Sequence, residues 1–397
     1  MNPKQIAQWR ADTPGVKHRI HFNNAGAALP PSIVTKTQKE YLETEALIGG
    51  YELAALRYDQ IQETYSSVAR LLNSQAHNIA FANNATDAYS RALSAVPLKE
   101  GDTILTTRND YVSNIISFLQ LQKQRNIHIE LAENGADGAV DVQSMADLIA
   151  KKQPKLVAVT HVPTSSGLVQ DVTAIGALCA AADTWYLVDA CQSVGQLPVD
   201  VQAIQCDFLS ATGRKFLRGP RGTGFLYVSD KALKAGLEPL FLDLHSAEWL
   251  GPQQYRAVES AKRFEIWERN YGLILGLKSA VDYFLKEDVQ LISQRIIQLA
   301  QLLREKLAQF PSLQVMEKGP AKSGIVTVKV AAHEPIPFQK ALLAERINTS
   351  LIYQEGARFD LAQNDAAWVS RMSLHYYNTE AEIRQLIQVL ESILENV

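Results

Sequence analysis

The sequence predicts an α/β protein with a large domain, built on a mostly parallel seven-stranded sheet flanked by helices, and a smaller α+β C-terminal domain. Its 397 residues exceed the roughly 250 to 300 at which chains tend to split into domains. Between residues 53 and 230, short β-branched runs alternate with helical patterns, which is typical of βαβ units. After residue 284 the alternation stops and a long helical pattern follows.

Seven short apolar runs predict the strands of the large sheet. They lie at residues 79–82, 103–106, 127–131, 156–159, 185–188, 207–209 and 224–228. Helical patterns separate them. Before the first run, apolar residues recur at the spacing of one helix face, which predicts a helix packed on the sheet. These residues are Ile61, Tyr65, Val68 and Leu72.

The C-terminal part predicts a different architecture. A long helix begins near residue 289, a strand pair follows at 313–315 and 324–328, and the last helix opens with the capping-box pattern of Thr379 and Glu382. The pattern at 232–284 is mixed and defines no element. We expect a large cofactor-binding domain over residues 20–270 and a small domain formed by 1–19 and 271–397.

Charge and cysteine content exclude several functional classes. The chain has 39 Lys and Arg against 42 Asp and Glu, and it lacks a basic block, so we expect neither nucleic acid nor a membrane as a partner. The first residues lack the apolar core of a secretory signal, which favours a cytoplasmic location. Cys179, Cys191 and Cys206 have no CxxC spacing and are expected to be reduced thiols, without a metal site.

A lysine and a carboxylate stand where a parallel sheet collects ligands, at the ends of its strands. Lys215 lies in SATGRK, just before the glycine-rich run GPRGTG, and Asp189 ends the apolar strand before it. A buried carboxylate needs a cationic partner, which a protonated pyridine nitrogen provides. A lysine amine can form an imine with an aldehyde and act as a base. Together they favour pyridoxal phosphate as the cofactor, with Lys215 as the catalytic residue.

Five further residues fit the same cofactor. Gln192 is placed to donate to the ring's phenolic oxygen. Ala85 and Thr86 begin a helix whose free N–H groups suit a phosphate, and Thr212 and Arg214 add a hydroxyl and a charge. Each residue alone also has a structural interpretation, as a helix cap or a solvated surface group. Their order along the chain favours the cofactor site.

Several segments resemble the class V aminotransferase family, in its cysteine desulfurase and isopenicillin-N epimerase branch of the fold type I pyridoxal phosphate enzymes. They are NNATD, THVPTSSG, VDACQSVG, SATGRK, GPRGTGFLYV and RMSLHYYNTEAEI. The similarity runs from about residue 20 to the end of the chain. These motifs are specific for the family and much less so for the reaction.

The resemblance implies roles for the cofactor residues. Lys215 becomes the Schiff-base lysine, Asp189 the partner of the pyridine nitrogen and Gln192 a neighbour of the ring oxygen. The phosphate ligands become Thr86, Thr212 and Arg214.

Two further positions differ from the related desulfurases. Tyr111 stands near the place of their ring-stacking histidine, and Thr164 stands where they carry Asn. The family is usually dimeric, which implies a homodimer in which Thr223 reaches the phosphate of the neighbouring subunit.

An enzyme acting on an amino acid must bind the substrate carboxylate, and an arginine side chain binds it through two hydrogen bonds of fixed geometry. Arg371 matches the family's carboxylate-binding arginine. Asn23 and Gly26, in the segment HFNNAGAA, resemble an opening stretch that folds back over the site; a plain turn is the alternative. His161, His375, Arg358 and Trp267 lie in family-like segments without a defined role, and core packing is their alternative.

The reaction divides into three possibilities: elimination at Cβ, transamination, and epimerisation. A desulfurase also needs a mobile cysteine on the small domain, and residues 354–360 contain none. Cys191 is interpreted as a packing residue. We therefore expect Cβ–S lyase chemistry, like that of a desulfurase without the mobile cysteine. The alternatives are an aminotransferase or an epimerase, the latter with Tyr111 or His375 as proton donor.

Overall fold

A computed structural model describes residues 2–319 and 321–394. Its strands are β1 (Ile20–His21), β2 (Ile79–Ala82), β3 (Thr103–Thr107), β4 (His128–Ala132), β5 (Leu156–Thr160), β6 (Trp185–Asp189), β7 (Phe208–Thr212), β8 (Gly224–Val228), β9 (Ala247–Gly251), β10 (Gln254–Ala257), β11 (Leu313–Val315), β12 (Ile325–Val330), β13 (Ile347–Asn348), β14 (Ser350–Tyr353) and β15 (Trp368–Ser373).

Its α-helices are α1 (Pro3–Ala11), α2 (Asn24–Ala27), α3 (Ser32–Ile48), α4 (Gly50–Leu56), α5 (Tyr58–Leu72), α6 (Ala85–Ala95), α7 (Val112–Arg125), α8 (Val142–Lys152), α9 (Val172–Ala181), α10 (Val201–Ile204), α11 (Asp230–Lys234), α12 (Tyr271–Phe284), α13 (Val289–Leu307), α14 (Pro335–Ala344), α15 (Arg358–Gln363) and α16 (Glu380–Leu394). Short 3₁₀ turns lie at Pro14–Lys17, Ala76–Asn78, Ala261–Phe264 and Gln354–Gly356. Within the described residues, no helix combines the length and apolar character needed to cross a membrane.

The large sheet has the strand order β2-β8-β7-β6-β5-β3-β4. Strand β8 runs antiparallel to both of its neighbours, and the other pairs are parallel. All seven predicted runs are strands of this sheet, so the predicted fold class is confirmed. Four of the strands continue further than predicted, into polar residues at their carboxyl ends: Thr107, Thr160, Asp189 and Thr212.

Helices cover both faces of this sheet. On one face α5 contributes the predicted apolar stripe, and all four of its residues are buried. On the other face α6 packs against β7 and β8 and adds Tyr89 and Leu93 to a second apolar cluster. The sheet is therefore shielded on both sides, as expected for parallel strands.

Helix α12 packs against α3 and α5 and adds Leu277, Val281 and Phe284 to the core of the large sheet. The domain boundary at residues 270 and 271 stays a prediction.

The small domain holds an antiparallel sheet of order β11-β12-β15-β14. Helices α13, α14 and α16 supply a separate apolar cluster with this sheet. The capping box of α16 is formed: Thr379 N donates to Glu382 Oε2 at 2.9 Å, and Glu382 N donates to Thr379 Oγ1 at 3.3 Å. The predicted long helix, strand pair and terminal helix are confirmed.

The segment 20–28 connects the two parts of the molecule. Strand β1 pairs in parallel with β13, and Ser373 N donates to Phe22 O at 2.7 Å. The chain then enters α2, and Ala28 N donates to Arg214 O at 2.9 Å. This path brings the segment to the carboxyl ends of the large-sheet strands.

Candidate active site

A cavity of about 350 Å³ opens at the carboxyl ends of β5, β6 and β7. Its lining residues are Asn83, Asn84, Ala85, Thr86, Tyr111, Thr160, Val162, Thr164, Asp189, Cys191, Gln192, Thr212, Arg214, Lys215, Arg221 and Gly222. All of the sequence-predicted cofactor residues except Thr223 therefore share one cavity. The position agrees with the rule that parallel sheets bind ligands at their strand ends.

Lys215 follows β7 and is half-buried in the cavity wall. Burial lowers the pKa of its amine below the ordinary 10.5, although the neighbouring Cys191 side chain and the Asp189 carboxylate act in the opposite direction. The cations Arg214 and Arg371 lower the pKa further. A larger fraction of this amine is thus neutral and nucleophilic than in a solvent-exposed lysine.

Asp189 ends β6 and is 5 % exposed. Its Oδ1 accepts a hydrogen bond from Cys191 N at 2.9 Å, and its Oδ2 accepts one from Asn114 Nδ2 at 3.3 Å. The carboxylate is therefore held in one orientation at the floor of the cavity. A cationic ring nitrogen is a suitable partner for it there.

Gln192 offers an unsatisfied polar atom in the same wall. Its Nε2 donates to Ala25 O at 3.2 Å and to Thr164 Oγ1 at 3.1 Å, whereas its buried Oε1 has no partner among the described residues. Buried polar atoms normally have a partner. In its present orientation the amide oxygen can accept a hydrogen bond from a ligand hydroxyl.

The opposite end of the cavity suits a phosphate. Helix α6 begins there, and its N-cap is Asn84, whose side chain accepts from Asp87 N at 2.9 Å. Thr86 is exposed, lines the cavity and does not cap the helix, so the capping interpretation of Thr86 is wrong. Arg214 and Arg221 add two positive charges. Helix N-termini and arginine side chains both favour a phosphate group.

Thr212 and Thr223 are bonded to the strand-connecting loop. Thr212 Oγ1 donates to Thr223 O at 3.2 Å, and Thr223 Oγ1 donates to Pro220 O at 2.7 Å. Thr223 is 3 % exposed within the described chain, and it does not line the cavity. Its proposed reach to a neighbouring subunit stays a prediction.

Arg371 lies on β15 beside the cavity, and its side chain is buried. Its Nη1 donates to Thr164 Oγ1 at 2.6 Å, and its Nη2 donates to Asn23 Oδ1 at 3.4 Å. Its buried Nε has no partner among the described residues. Burial, followed by the charge of Arg214, lowers its pKa to about 10, so the guanidinium is still charged at neutral pH.

The segment 20–28 reaches this arginine through Asn23. The predicted contact of Asn23 and Gly26 with a substrate carboxylate stays a prediction. The carbonyl of Gly26 accepts a hydrogen bond from Arg214 Nη1. A Cβ atom on Gly26 would lie 2.5 Å from Asn23 Oδ1, so a larger residue at this position would displace the Asn23 side chain. Asn23 and Gly26 therefore stand next to the side chains of Arg371 and Arg214 without lining the cavity itself.

His375 is a core residue with both ring nitrogens occupied. Its Nε2 bonds Phe216 O at 2.8 Å, and its Nδ1 accepts from Tyr376 N at 3.0 Å. Its ring stacks between Phe216 and Tyr377, and burial lowers its pKa far below the usual range. The interpretation of His375 as a proton donor is therefore wrong.

The other residues without a defined role also stay outside the cavity. Burial lowers the pKa of His161 to about 4, and its Nδ1 has no partner among the described residues. Trp267 is 47 % exposed, and Arg358 is exposed at the start of α15.

Each cysteine belongs to the large-sheet part of the structure. Burial raises the pKa of Cys179 to about 12, and it also raises the pKa values of Cys191 and Cys206 above their usual range. Cys191 lines the cavity, but its buried thiol is a poor nucleophile because the thiolate is the reactive form.

Sequence reasoning missed three polar residues and one cation of this site. Asp110, Asn114 and Thr160 form hydrogen bonds beneath Asp189, and Arg221 lines the cavity. Arg221 was visible inside the glycine-rich run GPRGTG. The other three carry no local signal, because their proximity arises from strand pairing.

A sheet that places a buried lysine, a carboxylate and a helix N-terminus around one cavity defines an α/β enzyme of the type that binds its ligand at the strand ends. The family model described as aminotransferase class-V matches residues 20–386, and the chain belongs to this family.

Relatives and solved structures align over nearly the whole chain. A probable cysteine desulfurase of Methanothermobacter thermautotrophicus is 27% identical, over 97% of both chains. The apo structure of a cysteine desulfurase from Thermococcus onnurineus NA1 has a TM-score of 0.91 at 24% identity, covering 100% of this chain and 99% of that one. A cystine C–S lyase in complex with its product cysteine persulfide has a TM-score of 0.83 at 22% identity, covering 95% and 98%. These similarities establish the shared fold.

Proposed function

We propose that the protein is a pyridoxal phosphate-dependent Cβ–S lyase acting on a sulfur-containing amino acid such as cysteine or cystine. The observation that carries this proposal is that Lys215 and Asp189 share one cavity with Arg371 beside it. The thiol in that cavity, Cys191, has a raised pKa, and the other two thiols are buried outside it. The cysteine desulfurases and the cystine lyase among its relatives support the choice of substrate.

The residues present fit this cofactor. Asp189, held by a hydrogen bond from Asn114, offers a buried acceptor for a ring nitrogen. Gln192 holds an open polar position, and α6 begins at the phosphate end. Lys215 would hold the aldehyde carbon. When bound, pyridoxal phosphate supplies an electron sink for the pair left on Cα after proton removal.

The chain's own residues supply the proton transfers and the orientation. Arg371 binds the substrate carboxylate, which directs the Cα–H bond toward Lys215. The amine of Lys215, whose pKa is lowered by burial, removes the Cα proton. A thiolate leaves Cβ without needing an acid, because it is a stable anion near neutral pH. Tyr111 lies in the cavity wall as an aromatic surface for the ring.

The net reaction balances with water. L-cysteine and water give pyruvate, ammonia and hydrogen sulfide, and L-cystine and water give pyruvate, ammonia and cysteine persulfide. We expect purified protein loaded with pyridoxal phosphate to form pyruvate and ammonia in equal amounts from either substrate. The check is a coupled lactate dehydrogenase assay together with an ammonia assay.

Other products would identify the alternative reactions. Conversion of the cofactor to its amine form, reversed by a keto acid, would establish an aminotransferase. Inverted stereochemistry at Cα without pyruvate would establish an epimerase. Protein that takes up no cofactor would overturn the proposal as a whole.

The buried thiol in the cavity wall gives a prediction that separates a lyase from a desulfurase. We expect Cys191→Ala to keep its rate of pyruvate formation from cystine within about twofold, because elimination needs no protein thiol. The measurement is kcat for the variant and the wild type. The matched control is Cys206→Ala, which removes a buried thiol outside the cavity. A loss of more than about tenfold in Cys191→Ala alone would show a catalytic thiol.

We further propose that the protein is a homodimer. Large apolar side chains stand exposed in two regions, α3–α4 and residues 240–255, in a pattern typical of association surfaces. The most exposed are Leu47 (84%), Tyr51 (77%), Leu56 (72%), Phe241 (80%), Leu244 (72%) and Trp249 (80%). Multi-angle light scattering should give twice the chain mass of 44.0 kDa, and Phe241→Glu with Trp249→Glu should shift it toward the monomer. An unchanged mass would exclude this surface.

A further inference from the structure

A second carboxylate lies directly beneath Asp189. Asp110 follows β3 and is half-buried. Its Oδ1 accepts hydrogen bonds from Thr160 Oγ1 at 2.6 Å, Tyr111 N at 2.7 Å and Asn114 Nδ2 at 2.9 Å. Its Oδ2 accepts from Thr106 Oγ1 at 2.5 Å. Four donors thus fix this side chain, and burial is the main reason that its pKa is raised.

The amide of Asn114 joins the two carboxylates. The same Nδ2 atom donates to Asp110 Oδ1 and to Asp189 Oδ2. Asn114 is 4 % exposed, so neither bond competes freely with water. The position of the Asp189 carboxylate therefore depends on that of Asp110 through a single side chain.

Asp110 is also bonded to a residue of the cavity wall. Tyr111 N donates to its carboxylate, and Tyr111 is the N-cap of α7. Asp110 consequently fixes both the floor of the cavity, through Asn114 and Asp189, and the start of the helix that carries the aromatic ring.

We propose that Asp110 is a positioning residue of the cofactor site, which orients Asp189 through Asn114 and, by its own charge, favours a protonated nitrogen on the bound pyridine ring. This inference rests on the proposed function. Like charges destabilise each other when buried together, and a cation placed between or beside them relieves this repulsion. A protonated ring nitrogen at Asp189 is such a cation.

The groups facing Asp110 are consistent with this role. Thr106 and Thr160 are neutral hydroxyls, and Asn114 is a neutral amide. Tyr89 on α6 interacts with both Asp110 and Asp189, its buried hydroxyl has no partner among the described residues, and burial keeps its pKa well above 10. None of these groups brings a positive charge to Asp110.

The Asp110→Asn variant separates the effect of the carboxylate charge from the effect of its hydrogen bonds. The new amide oxygen can accept from Asn114, Tyr111 and Thr160, as Oδ1 does now. The new NH₂ group can donate to Thr106, because a hydroxyl is both donor and acceptor. The variant thus removes the charge and keeps the hydrogen-bond pattern. Asn114→Ala does the opposite, since it removes the bridge and keeps both carboxylates.

The test compares two ligands on apo-protein prepared from the full chain: pyridoxal phosphate, and a deaza analogue in which carbon replaces the ring nitrogen. We expect Asp110→Asn and Asn114→Ala each to raise the Kd for pyridoxal phosphate about tenfold. This is the change that follows when the pKa of the bound ring nitrogen falls by about one unit. The Kd for the deaza analogue should change less than about twofold, because it has no nitrogen to protonate. The matched control is Asp360→Asn, which alters a carboxylate bonded to Ser165 and Asn364 outside this cavity.

Each result has a definite meaning. An equal loss of affinity for both ligands in both variants shows a merely structural role and overturns the inference. Unchanged Kd values for pyridoxal phosphate also overturn it, and in that case the proposed function still stands. Wild-type protein that binds no pyridoxal phosphate overturns the proposed function itself. Should Asp110→Asn fail to fold, the ratio of the two Kd values in Asn114→Ala decides the question.

Discussion

The Lys215→Ala variant is expected to lose more than about 10³-fold in kcat for pyruvate formation, because it loses both the amine that holds the cofactor and the base that moves the Cα proton. The visible absorption band of the lysine-linked cofactor should disappear with it. Binding without the covalent bond should persist, since Asp189, α6 and Arg214 remain in place. The measurements are steady-state kinetics and an absorption spectrum of the loaded protein.

A matched control for this prediction is Lys151→Ala, which removes an exposed lysine on α8. It should keep the spectrum and the rate of the wild type. A Lys215→Ala variant that retained the absorption band would show that another amine holds the cofactor. Full activity without the band would show that the reaction does not use the lysine.

The Arg371→Ala variant is expected to lower kcat/KM for cystine about 10²-fold or more, because truncation leaves the substrate carboxylate without its bidentate partner. The visible band of the lysine-linked cofactor should persist, since Arg371 does not line the cavity that would hold the cofactor. Arg371→Lys should recover only part of the loss, because an ammonium keeps the charge and loses the planar fork.

A second substrate isolates the carboxylate contact. Cystamine has the amine and the disulfide of cystine and lacks both carboxylates. Arg371→Ala should leave the low reactivity toward cystamine unchanged while activity toward cystine falls. A parallel loss for both compounds would mean that the substitution disturbs the site through Thr164 and Asn23, to which Arg371 donates.

The fold was largely predictable, because parallel strands covered on both faces leave long apolar runs in the sequence. The strand ends were not. Apolar patterning stops before Thr160, Asp189 and Thr212, yet backbone pairing continues through them. Polar residues at a ligand-binding edge follow the demands of the site, so hydrophobic periodicity does not mark them as strand.

The candidate site was predictable where one segment carries several of its residues. Lys215, Arg214 and Thr212 share one short segment and came together as expected. The Asn114 bridge between Asp110 and Asp189 was not predictable from the sequence. It joins the ends of β3 and β6, which are not neighbours in the sheet. For His375 the sequence suggested a proton donor that the structure does not support. A histidine whose ring nitrogens bond two backbone groups cannot be distinguished in sequence from a catalytic histidine.

The path of segment 20–28 has a consequence for motion. Asn23 is fixed to the β15 edge by a bridge to Ser373, and the same strand carries Arg371. A rotation of the small domain would move these two side chains as one rigid unit. The Gly26 carbonyl accepts a hydrogen bond from Arg214, and Ala28 N donates to Arg214 O, so both residues are held to the large-sheet part. Such a rotation would therefore bend the chain between Asn23 and Gly26. The short stretch 23–26 would thus be the hinge between the carboxylate-binding arginine and the phosphate end of the cavity.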